Sequence, residues 1–103
     1  MKRTKRRYVA LRLDCEVAPA EREFLDAAWR AVTQLYGEYG ASLTSLALIE
    51  YDVEGKSAVL RTSLVSVDMM RASLASITRL GGREAAVHVL AVSGTLKALR
   101  AKL

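Results

Sequence analysis

The hydrophobic positions near the start of the chain alternate with polar ones. Between Tyr8 and Glu16, Val9, Leu11, Leu13 and Cys15 fall on one side and Tyr8, Ala10, Arg12 and Asp14 on the other, which predicts a half-buried strand. The period then becomes helical. Pro19 sets the backbone near a helix entrance, Glu21 and Glu23 suit the positive end of the helix dipole, and Phe24, Leu25, Ala28, Val32 and Leu35 recur at helical spacing. A helix is expected from about Ala20 to Tyr36, ended by Gly37 and Gly40 in the loop "GEYGAS", where both glycines tolerate left-handed backbone angles. Leu46–Asp52 and Ser57–Ser63 read as two strands joined by the turn "DVEGK", with Gly55 at its tightest point. Ser66 or Asp68 can cap a second helix, with Val67, Met70, Leu74 and Ile77 as its apolar stripe and Arg71 and Arg79 away from it. Gly81-Gly82 is expected to stop that helix, and the nearly continuous apolar run Ala85–Val92 suggests a central strand covered on both faces.

The predicted order is strand, helix, strand, strand, helix, strand and a short terminal helix. Two split βαβ units in that order give an α/β (α+β) sandwich of the ferredoxin-like or RNA-recognition-module-like kind, a four-stranded antiparallel sheet with two helices on one face. The 103 residues, 51% hydrophobic, suit one domain spanning residues 1–103, and no linker or repeat divides them. No apolar run approaches the roughly 20 residues of a membrane helix, and no apolar stretch follows the basic start as in a signal peptide. The expectation is a soluble, cytoplasmic protein that contacts no membrane.

Charge narrows the choice of partner. The formal net charge is +5, and the first seven residues, "MKRTKRR", supply five basic groups as an arm over residues 1–7. Clustered Lys and Arg release condensed counterions from phosphate backbones, so the arm points to nucleic acid rather than to a neutral metabolite. Cys15 is the only cysteine, which excludes an intrachain disulfide and a thiolate metal cluster and leaves it a small core residue.

The residues of an autonomous hydrolytic site are missing from the pattern. His88 is the single histidine, lies within a strand and has no HxH or HxxxH partner, so a structural role is expected of it. The carboxylates, Asp14, Asp26, Asp52 and Asp68 among them, are dispersed, and no phosphate loop of Walker or Rossmann spacing occurs. Neither catalytic nor metal-ligating residues are assigned. An RNA-recognition domain usually stacks bases on aromatics of its middle strands, yet "SAVLRTS" and the last strand carry none. Tyr8 and Tyr51 could each offer a ring from the first and second strands or could simply pack. Recognition of backbone and shape by arginines fits better than base readout.

The closing stretch "SGTLKALR" follows directly on the last strand. Ser93 or Thr95 can cap a helix beginning near Leu96, where free amides favour an anion such as phosphate. Lys97 and Arg100 share one side of that helix and Leu96, Leu99 and Leu103 another; the apolar side should dock on the domain because so short a helix is marginal alone. Charge and helix-end physics therefore select Lys2, Arg3, Lys5, Arg6, Arg7, Ser93, Thr95, Lys97 and Arg100 as candidate RNA-binding residues.

The segment Val89-Leu90-Ala91-Val92-Ser93-Gly94-Thr95-Leu96-Lys97 resembles the signature near the end of the archaeal ribonuclease P protein component 2 family. Arg6-Arg7-Tyr8-Val9-Ala10 is similar to that family's opening strand, "LYGEYGAS" to its first-helix exit, and "LIEYD", "AVLRTS" and "VDMMRASLASI" to its hairpin and second helix. Ala91 stands where the signature is expected to carry glycine, and the chain is shorter than many members. The resemblance implies a non-catalytic subunit of ribonuclease P, the ribonucleoprotein endonuclease that removes the 5′ leader from precursor tRNA. The active site would belong to ribonuclease P RNA, which would use Mg2+, and the protein would bind no cofactor. Its partners would be that RNA and protein component 3, with precursor tRNA contacted indirectly and a homodimer possible.

Two other classes compete. The sandwich order and the "GEYGAS" loop suit a ferredoxin-like small-molecule-binding regulatory domain, and "MKRTKRR" suits a general basic nucleic-acid-binding protein. The arm separates these readings. Deleting Met1 to Arg6 is expected to weaken RNA binding and flatten its salt dependence while leaving the fold intact, measured by titration over a range of KCl concentrations; an unchanged slope would make the arm a solvated tail.

Overall fold

The structure is a computed structural model, and it describes residues 5–103. β1 (Arg6–Cys15) lies at the centre of the sheet and pairs antiparallel with both β3 (Ser57–Ser63) and β5 (Arg83–Ser93). β2 (Ala47–Asp52) pairs with β3 at one edge, and the two-residue β4 (Arg79–Leu80) pairs with β5 at the other, giving the order β2-β3-β1-β5-β4. The alternation in β1 works as expected. Val9, Leu11 and Leu13 face one layer, where they are buried with Phe24, Ala28 and Val32 of α1 (Glu21–Leu43) and Met70 and Leu74 of α2 (Val67–Ala75). Tyr8 and Ala10 face the other layer, where α3 (Leu96–Lys102) lies.

The sheet has five strands where four were expected. The difference lies at Gly81-Gly82, which do not stop a helix. α2 ends at Ala75, with the Ser76 N–H bonded to the Ala72 and Ser73 carbonyls. The chain then extends through Thr78 into β4. Gly81 (φ +58°) and Gly82 (φ +78°) form a two-residue hairpin turn with both central residues in the left-handed region, a geometry glycine adopts without a Cβ clash. Ile77, expected on the helical stripe, is buried just beyond the helix end.

A second difference concerns α1, which continues past Gly37 to Leu43. Gly37 alone leaves helical geometry (φ +75°, ψ 175°), after which the chain re-enters the helix. Gly40 is buried in that last stretch, where a Cβ would sit 2.6 Å from Tyr36 Cβ. The buried stripe lapses between Val32 and Gly40, so Leu35, expected to be inside, is half exposed. The third difference is β5. Its apolar run suggests full cover, but the central strand is β1; Val87 is buried towards the helices while His88 and Leu90 are exposed. Leu90 is the extra residue of a bulge, because Ala10 pairs with Ala91 and Leu11 with Val89.

Two hydrogen-bonded clamps brace the fold: one joins the hairpin turn to β1, the other joins the end of α1 to β3. At the hairpin, Asp52 Oδ1 accepts the Gly55 N–H (3.0 Å) and Lys56 takes the left-handed angle (φ +52°). The Lys56 ammonium then donates to the Cys15 carbonyl at 2.9 Å, and its own carbonyl accepts the Leu13 N–H at 2.8 Å. At the end of α1 the last carbonyls would otherwise lack partners. Thr62 Oγ1 and the Ser63 N–H both donate to Thr44 O at 2.8 Å, and the hydroxyls of Ser63 and Ser66 lie on Leu43 O at 2.9 and 3.2 Å. Thr44 Oγ1 donates to Ala41 O (2.7 Å) and accepts the Leu46 N–H (3.3 Å).

Thr44 is fully buried, so Thr44→Val keeps the shape of the side chain and strands the Leu46 N–H. It is expected to lower the unfolding free energy by about 1–3 kcal/mol in urea denaturation. Ser42→Ala, at the exposed hydrogen bond to Tyr39 O, should change it by less than about 0.5 kcal/mol. Equal effects at the two sites would count against the clamp.

Candidate nucleic-acid interface

β1 begins and β5 ends at the same end of the sheet. Tyr8 pairs with Arg61 on one side and Ser93 on the other, and Arg6 and Arg7 pair with Ser63 and Thr62. The strand therefore delivers the cationic end of the basic arm to the β5–α3 junction. A Cβ on Gly94 would stand 3.4 Å from Arg7 Nη1, which places that guanidinium against the turn, and Arg7 Nη1 also donates to Arg6 O (3.0 Å). Thr95, extended, caps α3: its Oγ1 accepts the Ala98 N–H at 3.1 Å. Ser93 is buried and ends the strand instead of capping the helix.

α3 docks through Leu99 and Leu96, whereas Leu103, expected on the same side, is exposed beyond the helix end. Leu99 is fully buried against Ala10 and Val59, with Tyr8, Ile49, Ala91 and Leu96 around it, worth roughly 2 kcal/mol of apolar burial. Ala91 lies beneath this helix and meets Ala10 across the strands. Arg100 forms an ion pair with Glu50 of β2, and the Lys102 ammonium donates to Val92 O at 2.7 Å. Both contacts hold the C-terminal end of the helix on the sheet. In RNA-recognition modules the middle of this face stacks bases; here α3 fills it.

The candidate residues thus divide by position. Lys5, Arg6, Arg7, Thr95 and Lys97 gather near the strand start and the β5–α3 junction, with Lys5, Arg6 and Lys97 exposed. Arg100 is engaged with Glu50, and Ser93 is covered. Lys2 and Arg3 lie outside the described residues. Arg61 joins the cationic end although its sequence position was not singled out; it is half-buried beside Tyr8, and its Nε has no hydrogen-bond partner among the described residues. The signal for it was parity, since Arg61 alternates with the inward-facing Leu60 and so shares the face of Tyr8.

Tyr51 is not available for stacking on a base. Its ring stacks on Phe24 (centroids 5.3 Å apart, 24° between planes) under the helices, and its hydroxyl donates to Pro19 O at 2.5 Å. His88 is exposed, with Nε2 3.6 Å from Asp14 Oδ2. A 440 Å³ hollow at the opposite sheet end brings Asp14, Glu16 and Glu84 around Arg83. Among the described residues no three His, Cys, Asp or Glu side chains converge as metal ligands, and no helix is long and apolar enough to cross a membrane.

An antiparallel sheet with two helices on one face and a third laid over the other defines a mixed α/β protein, here with a cationic end. Sequence comparison narrows this class: residues 7–103 match the Rpp14/Pop5 family, and the chain belongs to it. Ribonuclease P protein component 2 of Methanosarcina mazei is 32% identical over 95 residues, covering 92% of this chain and 80% of the relative. Ribonuclease P protein component 2 of Pyrococcus abyssi is 30% identical over 100 residues, covering 97% and 85%. A chain of the cryo-EM structure of yeast ribonuclease MRP superposes with a TM-score of 0.73 at 18% identity, over 93% of this chain and 79% of that one, which establishes a shared fold.

Burial, then the neighbouring Cys15, Glu23 and Glu21, push the Tyr51 phenol up to about 12 from an ordinary value near 10. Because the folded pKa is raised, the contribution to stability is complete below pH 10 and is lost as pH rises towards 12. Tyr51→Phe is expected to lack this loss and to remove the highest-titrating phenol from the ultraviolet pH titration. A wild-type titration in which every tyrosine ionises near 10 would contradict the buried hydrogen-bonded ring.

Proposed function

We propose that this chain is a protein subunit of ribonuclease P that binds the catalytic RNA and supports removal of the 5′ leader from precursor tRNA. The match to the Rpp14/Pop5 family across residues 7–103, with relatives named ribonuclease P protein component 2, carries the reading. In this reading the fold is a variant of the RNA-recognition module in which α3 replaces bases on the sheet, so RNA is held by its backbone at the cationic end through Arg6, Arg7, Arg61 and Lys97. Lys2 and Arg3 belong to the same proposed set of RNA-binding residues. The catalyst is the RNA with its Mg2+, the protein partner is component 3, and the compartment is the cytoplasm.

Backbone contacts neutralise phosphate repulsion that would otherwise need high concentrations of divalent ion. The chain is therefore expected to raise precursor-tRNA cleavage most at limiting magnesium, assayed with ribonuclease P RNA and component 3 with and without it. Lys97→Gln and Arg61→Gln should each reduce the rise several-fold at low magnesium and little at high magnesium. No stimulation from folded protein with active RNA would refute the reading. Equal binding to double-stranded DNA and unrelated RNA would favour a general basic binding protein.

A further inference from the structure

A second cationic feature lies in the helix layer, on the side of the sheet away from α3. Arg30 on α1 and Arg79 on β4 face a cleft of 160 Å³ whose other polar lining comes from Gln34, Ser76 and Thr78. No carboxylate lines it. Neither guanidinium forms an ion pair or side-chain hydrogen bond among the described residues, although Glu84 lies opposite Arg79 in the strand register. The adjoining 430 Å³ hollow shares Arg30 and Arg79 and is also lined by Glu23 and Asp26, of which Asp26 sits 3.9 Å from Arg22. An anion is thus directed to the carboxylate-free end.

The cleft is held by the elements that departed from the sequence expectation. The Gly81-Gly82 turn folds β4 back as a strand and sets Arg79 across from α1, while Ala27 and Ala31 flank Arg30 with small side chains that leave the space open. We propose that this cleft holds a backbone phosphate of bound RNA, so that the chain contacts RNA through both its layers. Two guanidinium groups with hydroxyl and amide donors match the oxygens of a phosphodiester, and Arg pairs with phosphate in forked geometry. The walls carry no aromatic ring for a base, so the contact is to the backbone. The identity of the RNA rests on the ribonuclease P reading; the anion site does not.

The test uses the full chain and its R30Q/R79Q variant, titrated with ribonuclease P RNA over several KCl concentrations. Both side chains are exposed, so the variant is expected to keep the wild-type melting temperature. Its affinity should fall about tenfold and its salt slope should shrink by about one. R30K/R79K should retain most of the slope. If the wild type binds this RNA and the folded R30Q/R79Q variant binds it equally, with the same slope, the cleft proposal fails and the ribonuclease P reading stands. If the wild type does not bind it, the ribonuclease P reading fails, and an NMR titration with inorganic phosphate decides the cleft. No shift of the Thr78 to Gly82 amides then overturns it outright. Shifts that vanish in R30Q/R79Q without any effect on RNA binding make it a small-anion site and overturn the RNA assignment.

Discussion

The rest of the structure depends on one strand that is buried on both faces and hydrogen-bonded on both edges. Val9, Leu11 and Leu13 of β1 sit under α1 and α2, Ala10 sits under α3, and β3 and β5 pair along either side. Alternation with period two makes a one-residue slip intolerable, since it would exchange leucines for Arg12 and Asp14 in the core. That constraint fixes the register of the whole sheet. The alanine at position 10 matters for the same reason: its small side chain lets Leu99 approach the sheet closely.

The register in turn determines where charge appears. Because Tyr8 is pinned between Arg61 and Ser93, Lys5, Arg6 and Arg7 lie near the β5–α3 junction and not at the hairpin end. The opposite end of the sheet collects Asp14, Glu16 and Glu84. The molecule, with net charge +5, therefore carries unlike charge at the two ends of its central strand. The third helix sharpens the consequence. It occupies the face where a recognition module stacks bases, so the guanidinium and ammonium groups stand at the rim.

Several departures from sequence expectation share a physical origin. Glycine signals a permitted backbone conformation, not the event that uses it. Gly37 was read as a helix end and is a single-residue break within α1; Gly81-Gly82 were read as a stop and form a hairpin turn. In each case the available hydrogen-bond partners decided the outcome, distant ones for the end of α1 and neighbouring ones at Gly81-Gly82. Thr62, Ser63 and Ser66 complete the carbonyls after Gly37, and Arg83 and Glu84 pair with the residues before Gly81. Tyr51 illustrates the same limit, since a half-apolar strand residue suits either layer until its partner Phe24 is known.

The sequence by itself determined the order of the four longer strands and the helices, the inward face of β1, Ser93 or Thr95 as the cap of α3, and the docking of that helix through Leu96 and Leu99. All of these depend on local spacing or on residues a few positions apart, where chemistry and periodicity act directly. The family could also be recognised there, because the motifs that carry it run in order along most of the chain. Tertiary structure alone decided that β1 and not β5 is central, that a fifth strand forms, and that Arg100 is tied to Glu50 while Arg61 joins the cationic end. It also brought Arg30 and Arg79 into one cleft. Apart from the local β4 hairpin these are pairings across large sequence separations, and they follow from which backbone groups and side chains the packed sheet brings within hydrogen-bonding distance.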